Sequence, residues 1–204
     1  GQPCDMAAIG ALAREYGFKV IEDASHAIGS RWQDSPVGSC LHSDITVFSF
    51  HPVKIITSGE GGMALTNDTN LDRRMRLLRS HGITSATSEM ELRPANEIWN
   101  YQQIDLGFNY RMTDIHAALG LQQMKRLDEF VRLRQAIAKR YDDLLVDLPI
   151  VRPWQHQDMQ SSFHLYLIRL KLKELNKTHK QIYKELLNLN IQVNLHYIPV
   201  YRQP

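Results

Sequence analysis

Long apolar runs are missing from this sequence: none approaches the roughly 20 residues that span a bilayer, so no membrane helix is expected. The first residues, "GQPCDMAAIG", lack the charged start and apolar stretch of a secretory signal. Cysteine is scarce. Cys4 and Cys40 stand far apart with no CxxC, which leaves no disulfide framework and suits a reducing compartment. The cytoplasm follows as the expected location. An excess of one charge is absent too: 24 basic against 22 acidic side chains give a net +2, without the clustered basic face that nucleic acid demands. The 9 histidines show no metal-ligand spacing, so no metal is expected. No internal repeat or low-complexity segment is visible.

What is present is an ordinary globular balance, 43% hydrophobic and 23% charged over 204 residues. That length supports one substantial core, or one core and a smaller lobe. There is no initiator Met and the sequence stops at "HYIPVYRQP"; both ends read as interruptions of a longer protein. Asp5 caps a helix whose apolar positions Met6, Ile9, Leu12, Ala13 and Tyr16 recur at helical spacing, and Gly17 ends it. "FKVIED", "DITVFSF" and "GGMALT" read as strands. The last two are apolar at nearly every position, which suits a sheet covered on both faces. "LDRRMRLLRS" is a helix with Leu71, Met75 and Leu78 inward, and residues 83–100 are polar and irregular. A long helical tract follows, "RMTDIHAALGLQQMKRLDEFVRLRQAIAKRYDDLL", capped by Thr113 or Asp114, with Gly120 marking a bend.

Pro149 and Pro153 flank a composition shift, which puts residues 1–148 in part of a large domain and 149–204 in part of a small one. In the small part "FHLYLIRLKL" alternates like a strand with one wet face, "THKQIYKELLNLN" opens with a Thr178–Gln181 capping box, and "IQVNLHYI" makes a last strand. Helices alternating with apolar strands predict an α/β layer with a mainly parallel sheet, followed by a smaller α+β lobe.

In an open α/β sheet, ligands gather beyond the carboxyl ends of the strands. Asp23 and His26 fall there in "EDASH", Ser49 ends "DITVFSF", and Lys54 follows in "FSFHPVKIITSGEGG". A lysine in such a crevice pairs with a phosphate, pairs with a carboxylate, or forms a Schiff base with an aldehyde. The Walker pattern is not met, since no glycine precedes Lys54 and no hydroxyl follows it. A Schiff base needs a free amine, favoured by desolvation or nearby positive charge, and the apolar neighbours Val53, Ile55 and Ile56 would exclude water. A solvated loop lysine is the plain alternative.

The segments "EDASHAIGS", "FSFHPVKIITSGEGGMALTN", "RSHGI", "LGFNYRMTDIHAALGLQQ" and "HYIPVY" together resemble the DegT/DnrJ/EryC1/StrS sugar aminotransferases, over nearly the whole chain and in family order. The resemblance implies the type I fold of aspartate-aminotransferase-like enzymes that depend on pyridoxal 5'-phosphate (PLP). It puts Lys54 where the family's lysine forms a Schiff base with PLP. Asp23 matches the aspartate that keeps the pyridine nitrogen protonated, because an adjacent negative charge favours the charged form; its alternative is a turn cap. The freed amine of Lys54 then shuttles protons, a double duty arginine cannot perform.

Ser49 matches a hydroxyl on the cofactor phosphate, and His26 a Gln or His position at the phenolic oxygen. Asn109 matches an asparagine that reaches the phosphate of the neighbouring subunit, which implies a homodimer with a shared site. His196 falls in a segment that contacts the sugar nucleotide. The plainer alternatives are a strand-end serine, a structural histidine and an asparagine turning before the Thr113 cap. His51 before Pro52 shapes its turn, and Gly59, Gly61 and Gly62 allow tight backbone near the cofactor.

Within the family, "DITVFSFHPVKIIT" and "NYRMTDI" look like the enzymes that aminate C4 of a UDP-linked 4-keto-6-deoxy-HexNAc sugar in pseudaminic acid synthesis, with glutamate the usual donor. Another nucleotide sugar is the alternative. The family's glycine- and hydroxyl-rich phosphate turn, a helix-start anion site, and the aromatic residue stacking on the ring do not lie in this sequence. The chain alone is therefore expected to bind PLP poorly. An inactive scaffold or dimerisation module is the reading from another class. A sugar 3-dehydratase of the same family is disfavoured, because those relatives carry histidine in place of the lysine.

Overall fold

A computed structural model describes residues 1–92 and 97–204. Its helices are α1 (Met6–Tyr16), α2 (Thr69–Leu78), α3 (Asp114–Met124), α4 (Leu127–Leu144) and α5 (His179–Asn188). The strands of the first half are β1 (Ile21–Asp23), β2 (Arg31–Trp32), β3 (Ser35–Pro36), β4 (Ile45–Ser49) and β5 (Gly62–Leu65). Those that follow are β6 (Ile83–Thr84), β7 (Gln102–Gln103), β8 (Ile150–Val151), β9 (Met159–Gln160) and β10 (Arg169–Leu170). The chain divides into two compact units, residues 1–138 with 155–165, and residues 139–154 with 166–204. Among the described residues no helix is long and apolar enough to cross a membrane.

In the first unit α1 forms as its spacing predicts. The Asp5 carboxylate accepts the Ala8 amide, and Gly17 takes φ 73° so that its own amide closes on the Ala13 carbonyl. The central sheet has the order β1–β4–β5. β1 runs parallel to β4 with Asp23 opposite Val47, whereas β5 runs antiparallel with Gly62 opposite Ser49. Among the described residues these three strands make one parallel and one antiparallel pair, within the expected α/β class. The connection explains the antiparallel pair. A parallel return needs a crossover of a dozen or more residues, usually a helix, but Phe50 N–H donates to the Gly61 carbonyl at 2.8 Å and the chain folds straight back. β4 buries Thr46 and Phe48, as a covered strand should. β5 does not follow the expectation: three of its four residues are exposed, leaving an open edge.

The core beneath this sheet gathers Ala24 and Ile28 after β1, Phe48 and Phe50 of and after β4, Ile55 and Ile56 of the next loop, and Val131 of α4. Burying each large side chain contributes about 1.5–3 kcal/mol. α2 starts earlier than its pattern suggested, because Asp68 accepts the amides of Asn70 and Leu71 and so sets the cap. Thr113 caps α3 by accepting the His116 amide. The helical tract breaks at Lys125–Arg126, not at Gly120, where Arg126 N–H reaches the Gln123 carbonyl three residues back. Gly120 stays helical, and a Cβ there would make only an ordinary contact, 3.4 Å from the Ser58 Cβ. The stretch expected to be irregular contains β6, paired antiparallel with β7; its residues 93–96 lie outside the described residues.

Along the sequence the two compact units alternate around the boundary expected after residue 148. Residues 155–165 return to the first unit, where β9 pairs with β2 and the Ser162 amide donates to Ser30 Oγ at 2.9 Å. In the second unit β8 and β10 pair antiparallel, and α5 carries the Thr178–Gln181 capping box. The strand expected over 163–172 shrinks to β10, because Arg134 donates to the carbonyls of Phe163 and His164 and ties that end to α4. Residues 191–198 pair with no strand among the described residues. An alternating run becomes a strand only where another edge receives its backbone.

Candidate active site

Two parallel neighbours deliver the acid and the hydroxyl. Asp23 ends β1 level with Val47 on β4, and Ser49 lies two residues further along β4, so both emerge at the carboxyl end of the sheet. A compact turn follows Asp23. The Ala24 amide donates to the Val47 carbonyl, Ala27 to Ala24 and Ser30 to Ala27, each at 2.9 Å. Ala24, Ala27 and Ile28 face the core, and His26 rides between them, half-buried.

The Lys54 loop is fixed on both sides of the lysine. Its Ser58 amide donates to the Phe50 carbonyl at 3.0 Å, the Thr57 hydroxyl to the same oxygen at 2.9 Å, and the Lys54 amide to the His51 carbonyl at 3.0 Å. Ile55 and Ile56, 5% and 2% exposed, plug into the core directly after the lysine. Val53 does not help to exclude water as expected; it is 62% exposed. Gly61 and Gly62 are required by crowding within the protein. A Cβ on Gly61, at φ 145°, would meet Met112 Cε at 2.6 Å, and one on Gly62 would meet the Phe48 carbonyl at 2.7 Å.

Electrostatics join the groups. The Asp23 carboxyl is held below its ordinary range, chiefly by the Ser25 hydroxyl and amide that donate to it, then by His26 and Lys54. The same two residues act on His164, whose ring lies 4.4 Å from that of His26. Burial pushes the His164 imidazole down to about 4, and the positive charges of His26, Lys54 and Arg134 add to the effect. Lys54, Asp23, His26 and His164 thus share one neighbourhood at the sheet's carboxyl end, with Ser49 on the strand between. Its acid is ionised, its second histidine neutral, and its lysine half-buried.

Asn109 and His196 complete the expected set. Asn109 is exposed and bridges Ser80 after α2, between Phe108 and Tyr110, whose amides donate to the Leu78 and Arg79 carbonyls. His196 belongs to the second unit, its ring tilted on Tyr197 at 4.4 Å and its Nδ1 buried without a hydrogen-bond partner among the described residues. Sequence reasoning missed His164 and Arg134. One sat in a run read as an alternating strand and the other on a helix face; no motif marks either.

A carboxylate, an amine and a hydroxyl at one sheet end are the donor set that PLP requires: an anion for a ring nitrogen, a nucleophile for an aldehyde, a donor for a phosphate. Comparison with known proteins identifies the family. A transaminase of Campylobacter jejuni, named UDP-4-amino-4,6-dideoxy-N-acetyl-beta-L-altrosamine transaminase, is 37% identical over 202 residues, 98% of this chain and 50% of its own. Helicobacter pylori PseC, an aminotransferase involved in the biosynthesis of pseudoaminic acid, superposes at TM-score 0.82 with 32% identity, over 98% of this chain and 51% of its own. Spr1654 of Streptococcus pneumoniae, solved in a PLP form, superposes at 0.81 with 28% identity, over 97% of this chain and 52% of its own. The chain spans about half the length of the curated relatives it matches. Enzymes of this kind are PLP-dependent sugar aminotransferases of the type I fold. The profile of the DegT/DnrJ/EryC1/StrS aminotransferase family matches residues 1–204, and the chain belongs to that family.

Proposed function

We propose that the intact protein is a PLP-dependent aminotransferase that moves an amino group from glutamate to the C4 keto group of a UDP-linked 4-keto-6-deoxy-HexNAc sugar, the chemistry of pseudaminic acid synthesis. The observation that carries this reading is the placing of an ionised Asp23 and of Lys54 beyond adjacent strands, near enough for the lysine's charge to act on the carboxyl, in a chain similar to a named transaminase. When bound, PLP supplies a ring that accepts the electrons left on the substrate carbon. Asp23 keeps a cation at the ring nitrogen, because its carboxylate stays charged down to unusually low pH. Lys54 holds the cofactor and, once free, takes and returns the proton at the reacting carbon. Ser49 binds the phosphate, and His26 orients the phenolic oxygen.

The remaining roles fall to Asn109 and His196. Asn109 reaches the phosphate of a second copy, and His196 touches the sugar nucleotide. Exposed apolar residues on both sides of Asn109, among them Leu106, Phe108, Tyr110 and Ile115, support pairing with that copy. Residues 1–148 supply part of the cofactor-binding domain and 149–204 part of the small one, and the enzyme works in the cytoplasm. The exposed β5 favours a second reading of the 204 residues alone, a catalytically inactive scaffold or dimerisation module.

Borohydride reduction of the intact, PLP-loaded protein followed by peptide mapping tests the site; label on any residue but Lys54 defeats it. A panel of nucleotide keto-sugars with glutamate tests the substrate. Turnover of a different sugar in preference keeps the family chemistry and discards the pseudaminic assignment.

A further inference from the structure

We propose that His164 is a positioning residue for His26, its ring setting where the His26 imidazole points in the Lys54 crevice; the inference rests on the reading of that crevice as the cofactor site. The two rings meet at 4.4 Å between centroids with planes tilted by 55°, an edge-to-face type of contact that resists rotation of either. His164 is delivered by a strap anchored from two sides. From α4, Arg134 Nη1 donates to the carbonyls of Phe163 and His164 at 3.1 and 3.3 Å, and Gln135 Nε2 donates to the Ser161 carbonyl at 3.1 Å. From the turn that carries His26, fully buried Ser30 accepts the Ser162 amide at 2.9 Å and meets the Ser162 hydroxyl at 2.8 Å. The Phe163 amide is closed locally on Ser161 Oγ at 3.0 Å.

Such anchoring costs backbone freedom, and its product is one ring held against another. The ring acts through its shape. Its Nδ1 is buried without a hydrogen-bond partner among the described residues, so a phenyl in its place gives up no bond at that atom. The charged groups facing it are His26, Lys54, Arg134 and the Gly1 amine, all positive when protonated. A neutral slab there orients His26 without adding another cation beside Lys54.

The test uses the intact protein with 15N-labelled histidine, as wild type, His164→Ala and His164→Phe. Without PLP, the His26 ring resonances are expected to move in the Ala variant and to stay near wild type in the Phe variant. With PLP, the pH midpoint of the cofactor's visible band is expected to shift in the Ala variant only, and kcat to fall about tenfold with KM nearly unchanged. Unmoved His26 resonances in His164→Ala overturn the proposal, and so does a Phe variant that behaves like Ala. Should the Ala variant fail to fold, His164→Leu fills the volume without a flat ring and replaces it. If the wild type takes up no PLP at Lys54, the proposed function falls, while the PLP-free resonances still decide the role of His164.

Discussion

The Lys54 loop and the stretch around Asn109 are both irregular connections, but they are held in opposite ways. Residues 50–61 close on themselves through Phe50 and set Ile55 and Ile56 into the core. Residues 98–110 hang on the end of α2 by backbone bonds and present Ile98, Trp99, Leu106 and Tyr110 to solvent, 91%, 71%, 82% and 74% exposed. The first region is finished by this chain's own packing. The second is apolar surface of the kind that marks an interface. The chemistry proposed for Lys54, which must hold a reacting atom to fractions of an ångström, stands on the finished part, and the group proposed to act on a second copy stands on the unfinished one.

The severest test of that contrast is Lys54→Ala in the intact protein, which should remove both the visible band of bound PLP and all measurable amine transfer. Lys54→Arg should fail equally, since guanidinium stays protonated and is a poor nucleophile. Asp23→Asn comes next. An amide oxygen still accepts from Ser25, so melting temperature should hold while kcat drops by about 10²-fold or more for want of the charge at the ring nitrogen. Normal turnover in Asp23→Asn would remove the electron-sink role altogether.

How far the sequence revealed this division depends on the range of the forces involved. Local signals were legible. Asp5 and Gly17 bracket α1, Thr113 starts α3, and the Thr178–Gln181 box opens α5, because caps are decided within one turn. The grouping of Lys54, Asp23 and His26 was legible because strand ends carry ligands and because the three sit in recognisable motifs. Partners across space were not. The direction of β5 depends on a hydrogen bond between Phe50 and Gly61, and "FHLYLIRLKL" loses its strand to anchors from Arg134, a residue 29 positions away. "IQVNLHYI" has the right alternation but no receiving edge among the described residues. The apolar pattern of "GGMALT" likewise promised burial that this chain does not itself provide.

Stability measurements sharpen the contrast at a smaller scale. Ile56→Ala should destabilise the protein by about 2–5 kcal/mol, as core truncations do, and loosen Lys54 with it. Leu106→Asp should leave the monomer within about 0.5 kcal/mol, because that side chain has little to lose on its own chain. Its effect should appear in sedimentation instead, as weakened self-association. A large loss of chemical stability in Leu106→Asp would show that the Asn109 stretch is as self-contained as the Lys54 loop, and the contrast would collapse.

The smallest expected effect is a slope of stability with acid. Burial, then the charges of His26, Lys54 and Arg134, lower the His164 imidazole from 6.5 to about 4, and unfolding restores the ordinary value. Between those two values the unfolded chain binds more protons than the folded one, so stability is full above pH 6.5 and drains as pH falls towards 4. The half-buried ring is partly screened by water, which keeps the slope modest. Asp23 acts in the same direction but lower: its carboxyl is depressed by the Ser25 hydroxyl and amide, so its share is present above 3.8 and lost only below it. Denaturant midpoints through the upper window should therefore fall in the wild type and flatten in His164→Phe, while the loss below 3.8 persists in both. Leu106→Asp should keep the wild-type slope, since the acid response belongs to the Lys54 side of the molecule. A flattened slope there would couple the two regions.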